Sequence, residues 1–346
     1  MKNILVIRLS AIGDILLTTP VLVRLKKLYP DVKIHFLVKE QYASFVEACP
    51  EVDSIILWKK NESLFSIRKQ ILATSILFDL VVDLQSNLKS RILTKLLRKK
   101  ISRRYVKPYW PRLLLVYFKI NRYEEIKKTT ERYLDAIHDL TDAPLTETIS
   151  LKRKKLPAAV QRFIKKNTIL IAPGARWFTK RWPQEYFASL ASKILEKSPS
   201  DKIIWLGGPD ELELFEFFKK HPYLLRHTKR MLFLSNALSV EEMATLADSV
   251  QVMVCNDSGL MHLLSTSSTP LVGLFLSTVE EFGFFPLAQQ GEVLMARNIE
   301  CRPCNHKGLP ACPKKHFRCA RELTADQVYS MVLKYLWANP SSIPAK

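Results

Sequence analysis

The sequence predicts an α/β protein with two parallel sheets, one in each half of its 346 residues. In the first half, apolar strand-like runs alternate with helical stretches, and this alternation is typical of a parallel sheet covered by helices. The second half repeats the alternation. Between the halves, residues 141–159 contain two prolines, a charge cluster and little periodicity, which indicates a linker. The predicted domains are therefore residues 1–158 and 159–346.

The individual elements follow from the spacing of apolar residues along the chain. In the first half we predict strands at residues 3–9, 33–38, 54–58 and 80–85. The helices of this half are predicted at residues 14–28, 86–99 and 124–140. In the second half we predict strands at residues 168–172, 202–206, 230–234, 250–255 and 270–275. Its helices are predicted at residues 184–195, 240–247 and, closing the chain, 323–338.

The segment SAIGDILLTTP follows the first strand and places a glycine and a carboxylate where a helix begins. A helix N-terminus favours negative charge, so Asp14 is explained as a residue that caps or begins the helix. It is equally explained as a general base that takes a proton from an attacking hydroxyl. The segment is not a dinucleotide-binding fingerprint, because G-x-G-x-x-G is absent. Taken alone, the segment leaves both explanations open.

Two strand ends in the second half carry charged residues next to a predicted helix start. In PGARWFTKRWP, Lys180 and Arg181 either form a phosphate cradle or are solvated surface cations. In WLGGPDE, Glu211 either accepts hydrogen bonds from a ribose or serves as an acidic residue in the first turn of a helix.

The most specific pattern is NDSGLMHL, which ends a buried-looking strand. Backbone N–H groups around Asp257, Ser258 and Gly259, together with the Ser258 hydroxyl, suit a diphosphate. His262 is within reach of the same anion, although a lone histidine is more often a core or surface residue. The chain contains no Asp-x-Asp, a motif often found where a metal holds the diphosphate. A departing diphosphate would then be neutralised by Lys180, backbone N–H groups and a helix dipole.

Four of these motifs, in this order, resemble one family, the ADP-heptose:lipopolysaccharide heptosyltransferases, which are glycosyltransferases of the GT-B type. The matching pieces are SAIGDILLTTP, DLQSNLKS, PGARWFTKRWP and NDSGLMHL, and a cysteine-rich stretch near the end of the chain also resembles many members. The resemblance covers nearly the whole chain. It implies two Rossmann-like domains that face a central cleft, with acceptor contacts mainly in the first domain and donor contacts in the second.

The resemblance further implies an inverting, metal-independent transfer of a heptose or similar sugar. The donor would be ADP-linked, and the acceptor a phosphorylated, lipid-linked oligosaccharide of the lipopolysaccharide inner core. No cofactor is required. Asp14 matches the family's proposed base. The implied donor-binding residues are Lys180, Glu211, Asp257, Ser258, Gly259 and His262. The implied acceptor-binding residues are Ser10, Gly13 and Gln85.

One departure from the family pattern leaves the donor open. Leu276-Ser-Thr278 stands where relatives commonly have Gly-Pro-Thr, so a bulkier side chain replaces a glycine near the donor. A transferase of the same fold that uses another nucleotide-sugar, or an acceptor other than lipopolysaccharide, is therefore an alternative. A catalytically silent relative is a further alternative, and the retained Asp14 argues against it.

Four cysteines lie close together near the end of the chain: Cys301, Cys304, Cys312 and Cys319. A Cys-x-x-Cys followed by two more cysteines is compatible with a structural zinc ion. Reduced thiols in a compact loop are the alternative, because the second pair is more widely spaced than in a typical zinc site. Six cysteines in a chain of this length do not indicate a disulfide scaffold.

The chain is strongly basic, with a net charge of +20, and this favours anionic partners. Between Lys89 and Arg112 it has ten lysines and arginines, no acidic residue and several aromatic residues. This basic segment, residues 89–112, suits nucleic acid, an anionic membrane surface or a solvated helix face. The resemblance favours the membrane over nucleic acid, and a nucleic-acid-binding protein is the rival from another functional class.

The sequence shows no signal peptide and no apolar run near the ~20 residues of a membrane-spanning helix. We therefore expect a cytoplasmic protein that binds peripherally to the inner face of the cytoplasmic membrane.

Overall fold

The computed structural model describes residues 1–141, 148–288 and 290–336. Contacts within the chain divide it into two compact units. Unit 1 comprises Met1–Arg112, Tyr123–Lys152 and Glu281–Phe284. Unit 2 comprises Leu113–Arg122, Arg153–Glu280 and the described residues from Phe285 onward. The domain boundary that we predict after residue 158 stays a prediction.

Unit 1 contains a five-stranded sheet. Its strands are β1 (Asn3–Ile7), β2 (Lys33–Lys39), β3 (Ser54–Trp58), β4 (Phe78–Asp83) and β5 (Lys99–Arg104). They lie in the order β3-β2-β1-β4-β5, and all pairs are parallel. The central strands are runs of Ile, Leu and Val because helices cover both faces of a parallel sheet.

Strand β5 is absent from the sequence prediction, and its composition explains why. Its residues are KKISRR, which lack the apolar run by which the other strands are found. As an edge strand it pairs with β4 alone, and lysine and arginine are well suited to a sheet edge.

Seven helices accompany the first half of the chain as described. They are α1 (Ile12–Leu16), α2 (Thr19–Leu28), α3 (Ala43–Glu47), α4 (Leu64–Ala73), α5 (Leu88–Leu96), α6 (Tyr109–Leu113) and α7 (Thr129–Leu134). A π-helical turn, Leu114–Phe118, and two 3-10 turns, Glu40–Tyr42 and Asp135–Leu140, complete this part.

Two predicted helices are shorter in the structure. The helix predicted at residues 14–28 is divided into α1 and α2, because Pro20 has no N–H to donate to the preceding turn. The helix predicted at residues 124–140 is reduced to α7 and the 3-10 turn after it. It begins late because the Glu131 carboxylate caps the N–H of Lys128, and it ends early because Ile137 has non-helical backbone angles.

Unit 2 contains a six-stranded parallel sheet in the order β11-β10-β9-β6-β7-β8. The strands are β6 (Thr168–Ala172), β7 (Lys202–Gly207), β8 (Met231–Ser235), β9 (Val252–Asn256), β10 (Leu271–Leu274) and β11 (Gly291–Leu294). Strand β11 was not predicted, because GEVL is too short to stand out.

Eight helices belong to the second half of the chain as described. They are α8 (Ala158–Phe163), α9 (Gln184–Lys197), α10 (Leu212–Lys220), α11 (Pro222–Leu225), α12 (Val240–Asp248), α13 (Gly259–Leu264), α14 (Arg318–Arg321) and α15 (Ala325–Leu336). Helix α15 lies within the closing helix predicted at residues 323–338, whose last two residues are outside the described residues. In the predicted linker, residues 142–147 are also outside them, and residues 148–157 form neither helix nor strand.

The topology places the candidate residues. In a parallel sheet all carboxyl ends of the strands lie at one edge, and ligands bind there. In unit 1, Asp14 follows β1 and Gln85 follows β4, which are neighbours. In unit 2, Lys180 follows β6 and Asp257 follows β9, which are also neighbours. Within the described ranges, the structure shows no helix long and apolar enough to cross a membrane.

Candidate active site

Asp14 lies in the first turn of α1, shortly after β1. Its Oδ1 atom lies 2.8 Å from Nη2 of Arg8 and accepts a hydrogen bond of 3.2 Å from the Tyr133 hydroxyl. Its Oδ2 atom accepts a longer hydrogen bond, 3.4 Å, from the backbone N–H of Ala11. The side chain is 25% exposed, so a substrate can reach it. Asp14 thus accepts a hydrogen bond at the helix start, and its carboxylate is also held in one orientation by side chains.

Arg8 and Tyr133 are both buried, and both are absent from the sequence prediction. The Arg8 guanidinium also donates to the carbonyl oxygens of Ser10, at 2.8 Å, and Leu84, at 2.7 Å. Burial works to lower the pKa of Arg8, but Asp14 and two nearby tyrosines outweigh it and the pKa is raised. For the Tyr133 hydroxyl, burial has the opposite effect and raises the pKa well above its usual value. Both groups therefore keep their protons and donate to Asp14.

The predicted acceptor-binding residues lie at this same edge of the sheet. Ser10 and Gly13 are in the segment that carries Asp14, and Gly13 is buried within α1. Gln85 comes from the neighbouring strand end, and its Oε1 accepts a hydrogen bond of 2.9 Å from the N–H of Leu9. This bond fixes the two strand ends to each other, while the acceptor-binding role of the three residues stays a prediction.

The motif DLQSNLKS also stabilises its own turn. Asp83 is buried and accepts hydrogen bonds of 2.8 Å from the N–H of Ser86 and from the hydroxyl of Ser90. Burial raises the pKa of Asp83, and these hydrogen bonds oppose the rise. Asn87 caps α5 in a reciprocal pair with Ser90. Most polar side chains of the motif therefore hold the connection from β4 to α5.

Positive charge accumulates beside Asp14. Lys107 follows β5 and is half-buried; burial first, then the charges of Arg8 and Arg112, lower its pKa to about 8. The Nε of Arg112 is buried and finds no hydrogen-bond partner among the described residues. Neither Lys107 nor Arg112 forms an ion pair in the described part of the chain. The charges that act on Lys107 come from two cations, Arg8 and Arg112, and two acidic residues, Asp83 and Asp14. With Lys107 itself the cations are in excess, and this suits an anionic ligand.

In unit 2, Lys180 and Asp257 form a buried ion pair. The Lys180 Nζ lies 2.7 Å from Asp257 Oδ2, with side-chain exposures of 14% and 4%. The hydroxyl of Thr278, after β10, donates to the same oxygen at 2.6 Å. Predicted donor residues from two distant motifs are thus in contact. Thr278 was missed because its pairing with Asp257 cannot be read from either local pattern.

Asn256 connects the loop that carries Lys180 to the turn that carries Asp257, and sequence reasoning missed this residue too. Its amide donates to the carbonyl of Pro173 at 2.6 Å, and its oxygen accepts a hydrogen bond of 3.2 Å from the N–H of Trp182. The side chain is fully buried. A buried asparagine at the end of an apolar strand is a signal that could have identified it.

The remaining residues of the NDSG turn begin α13. The Ser258 hydroxyl caps the helix by accepting a hydrogen bond of 3.4 Å from the N–H of Met261. Gly259 is the first helical residue, and His262 is buried one turn later. Ser258 and Gly259 therefore directly follow Asp257, His262 lies one helical turn further on, and the donor-binding role of all three stays a prediction.

Glu211 shows the helix-start contact that we considered for it. Its Oε2 accepts a hydrogen bond of 2.8 Å from the N–H of Gly208. The same carboxylate packs on Gly174, where a Cβ atom would lie 2.3 Å from Glu211 Oε1. It also lines a cavity of about 860 Å³ together with Arg181 and Asp210. The carboxylate is thus both part of a turn and accessible from a cavity, which leaves the ribose-binding role open.

The four clustered cysteines are free thiols. Burial raises the pKa of Cys304 to about 11 and that of Cys319 to about 12. Cys301 Sγ lies 3.8 Å from Nε2 of His316. Throughout the described ranges, no three or more His, Cys, Asp or Glu side chains are grouped so that they could hold a metal ion. The zinc interpretation of Cys301, Cys304, Cys312 and Cys319 therefore gains no support among the described residues, and the reduced-thiol alternative stays a prediction.

Comparisons with known proteins identify a family from the sequence and a fold from solved structures. The sequence profile of glycosyltransferase family 9 (heptosyltransferase) matches residues 64–315. Lipopolysaccharide heptosyltransferase 1 of Campylobacter coli is 26% identical over 290 residues, covering 80% of this chain and 84% of its own. The Pseudomonas aeruginosa protein of the same name is 25% identical over 351 residues, covering 94% and 92%. Among solved structures, E. coli ADP-heptose LPS heptosyltransferase II matches with a TM-score of 0.72 at 18% identity, covering 97% and 98%.

Proposed function

Because this chain belongs to glycosyltransferase family 9, the heptosyltransferase family, we propose that it transfers a heptose from an ADP-linked donor to an acceptor of the lipopolysaccharide core. The chain is a glycosyltransferase of the GT-B fold, as expected from the sequence. Its curated relatives are lipopolysaccharide heptosyltransferases that match most of its length. The observation that carries the proposed mechanism is the Asp14 carboxylate, held by Arg8 and Tyr133 and still exposed to substrate.

In the proposed mechanism Asp14 is the general base. Its Oδ2 takes the proton of an acceptor hydroxyl, and the hydroxyl oxygen attacks the anomeric carbon of the donor sugar. The new C–O bond forms as the bond to the diphosphate breaks, so the configuration at that carbon is inverted. Oδ2 suits this role because its described hydrogen bond, from Ala11, is long at 3.4 Å. Arg8 and Tyr133 hold the opposite oxygen and thereby orient Oδ2.

Donor binding is assigned to unit 2. Lys180 supplies positive charge for the diphosphate, and its contact with Asp257 fixes where the ammonium group lies. Asp257, in turn, is held by Thr278. We propose that this positioned lysine, with backbone N–H groups of the turn, takes the place of a divalent metal. The reaction then requires no cofactor.

The acceptor is assigned to unit 1, and the charges there support an anionic one. Lys107, Arg112 and Arg8 lie together beside Asp14, and the first two have no ion pair within the described residues. A phosphate or carboxylate of a lipopolysaccharide core acceptor would supply the missing negative charge. The acceptor is lipid-linked, so we propose a cytoplasmic enzyme that acts at the inner face of the cytoplasmic membrane.

A donor panel tests the proposal. The purified chain is incubated with ADP-, GDP- and UDP-linked sugars and lipopolysaccharide-core acceptors, and release of the nucleoside diphosphate is measured. We expect turnover with ADP-heptose that depends on the acceptor and is lost in Asp14→Asn. If the chain turns over a different nucleotide-sugar and not ADP-heptose, that nucleotide-sugar is the donor and the ADP-heptose assignment is wrong. No turnover with any donor, together with salt-sensitive nucleic-acid binding, would contradict the proposed function.

A further inference from the structure

Helix α5 has one broad apolar face, and the structure buries only part of it. Leu93 is fully buried in the core of unit 1. Next to Leu93 around the helix, Leu88, Ile92 and Leu96 recur every four residues and are 74%, 41% and 37% exposed. Residues at this spacing form one continuous stripe along a helix. A stripe of large exposed aliphatic side chains marks an interaction surface, since soluble proteins rarely expose contiguous apolar patches.

A second exposed apolar group lies at the same edge of the sheet as the start of α5. Val106, Tyr109 and Trp110 follow β5 and are 80%, 64% and 69% exposed. Strand β5 pairs in parallel with β4, and α5 begins shortly after β4 ends. Leu88 and this second group therefore both lie at the carboxyl edge of neighbouring strands. We name the two groups together the α5 face: Leu88, Ile92, Leu96, Val106, Tyr109 and Trp110.

The charges around the α5 face are positive. The basic segment that contains most of it has ten lysines and arginines and no acidic residue. Lys100 and Arg103 pair with Asp79 and Asp139. Exposed Lys89, Arg91, Lys95 and Arg98 form no ion pair within the described residues. The partner of this surface therefore presents both negative charge and apolar groups.

We propose that the α5 face docks the protein on an anionic lipid bilayer, with Leu88 and Trp110 entering the headgroup layer. A bilayer supplies anionic headgroups for the lysines and an acyl boundary for the aliphatic side chains. Nucleic acid is disfavoured, since bases stack on aromatic rings and offer nothing comparable to Leu88, Ile92 and Leu96. The inference deepens the proposed function and rests on it for one point, that the acceptor is lipid-linked.

Vesicle binding tests the inference without any substrate. The full chain is sedimented with vesicles of phosphatidylcholine and phosphatidylglycerol, and with vesicles of phosphatidylcholine alone. We expect binding to the anionic vesicles, and a fall of about tenfold in the partition coefficient for Leu88→Gln/Trp110→Gln. The matched control is Tyr223→Gln/Leu225→Gln in unit 2, whose side chains are 61% and 54% exposed. It should bind as the wild type does.

Activity measurements separate this inference from the proposed function. Leu88→Gln/Trp110→Gln should keep wild-type turnover with a water-soluble, delipidated acceptor and lose turnover with the acceptor in vesicles. If no form turns over, the proposed function fails while the vesicle result stands. The inference would be overturned if the wild-type chain did not sediment with anionic vesicles, or if it bound RNA and no vesicles. Equal vesicle binding by wild type and Leu88→Gln/Trp110→Gln would overturn it as well.

Discussion

Replacement of Asp14 by asparagine removes the proposed base and leaves the shape of the site nearly unchanged. An asparagine amide oxygen can still accept hydrogen bonds from Arg8 Nη2 and the Tyr133 hydroxyl, which now reach Asp14 at 2.8 and 3.2 Å. Its amide nitrogen cannot accept a proton from the acceptor. Alanine would be a poorer test, because it would leave the buried Arg8 guanidinium without this partner.

Asp14→Asn should change two measurable quantities, kcat and the free energy of unfolding, by different amounts. Loss of a general base lowers kcat by about 10²- to 10⁴-fold, which corresponds to about 3 to 5 kcal/mol in the activation barrier. The free energy of unfolding should fall by only about 1 to 3 kcal/mol, since a charge-assisted hydrogen bond becomes a neutral one. Arg8 keeps its bonds to two backbone carbonyls, so the fold is retained.

The assay measures initial rates of ADP release at saturating donor and acceptor, beside thermal unfolding of the same samples. The matched control is Asp248→Asn, because Asp248 is 29% exposed and pairs with Arg153 at 2.6 Å. That variant should keep the wild-type kcat. A folded Asp14→Asn protein with wild-type turnover would refute the role of Asp14 as the base.

Three further predictions concern the groups around the two sites. With its pKa at about 8, Lys107 is charged below that pH and neutral above it. The acceptor kcat/KM should therefore fall as pH rises through about 8, and Lys107→Arg should remove the fall; an unchanged profile would exclude Lys107. Thr278→Val removes a hydroxyl that orients the donor-site ion pair, so the donor KM should rise about tenfold while the acceptor KM stays constant. A donor KM equal to the wild type would count against this. Gly174→Ala should displace the flexible Glu211 carboxylate and raise the donor KM, because the new Cβ would lie 2.3 Å from Glu211 Oε1. Gly208→Ala should change the donor KM little, because its Cβ would lie 3.4 Å from Glu211 Oε2, an ordinary contact distance. Equal donor KM values for both glycine variants would speak against donor binding by Glu211.

The sequence predicted most of the two sheets, because their central strands are apolar runs between helices. It also located the segments that carry the candidate site, since polar residues and glycines follow those strands. Strand β5 escaped prediction because an edge strand rich in lysine and arginine has no apolar signature. The interruption before α2 depends on a single proline within an otherwise helical pattern.

The contacts that define the site were beyond sequence reasoning. Tyr133 reaches Asp14 from 119 residues away, and Thr278 reaches Asp257 from 21 residues away. The first pair depends on how α7 packs and the second on β9 and β10 being neighbours in the sheet, and no local spacing encodes either. The roles that the resemblance implies for individual residues, and the cleft between the two halves, stay predictions.

The anomeric configuration of the product tests the central claim most directly. Purified chain, ADP-heptose and a lipopolysaccharide-core acceptor are incubated, and the new glycosidic linkage is assigned by NMR while released ADP is quantified. Direct displacement with Asp14 as the base predicts one ADP per heptose transferred and a configuration inverted relative to the donor. Retention of the donor's configuration, or heptose transfer by Asp14→Asn at the wild-type rate, would contradict it.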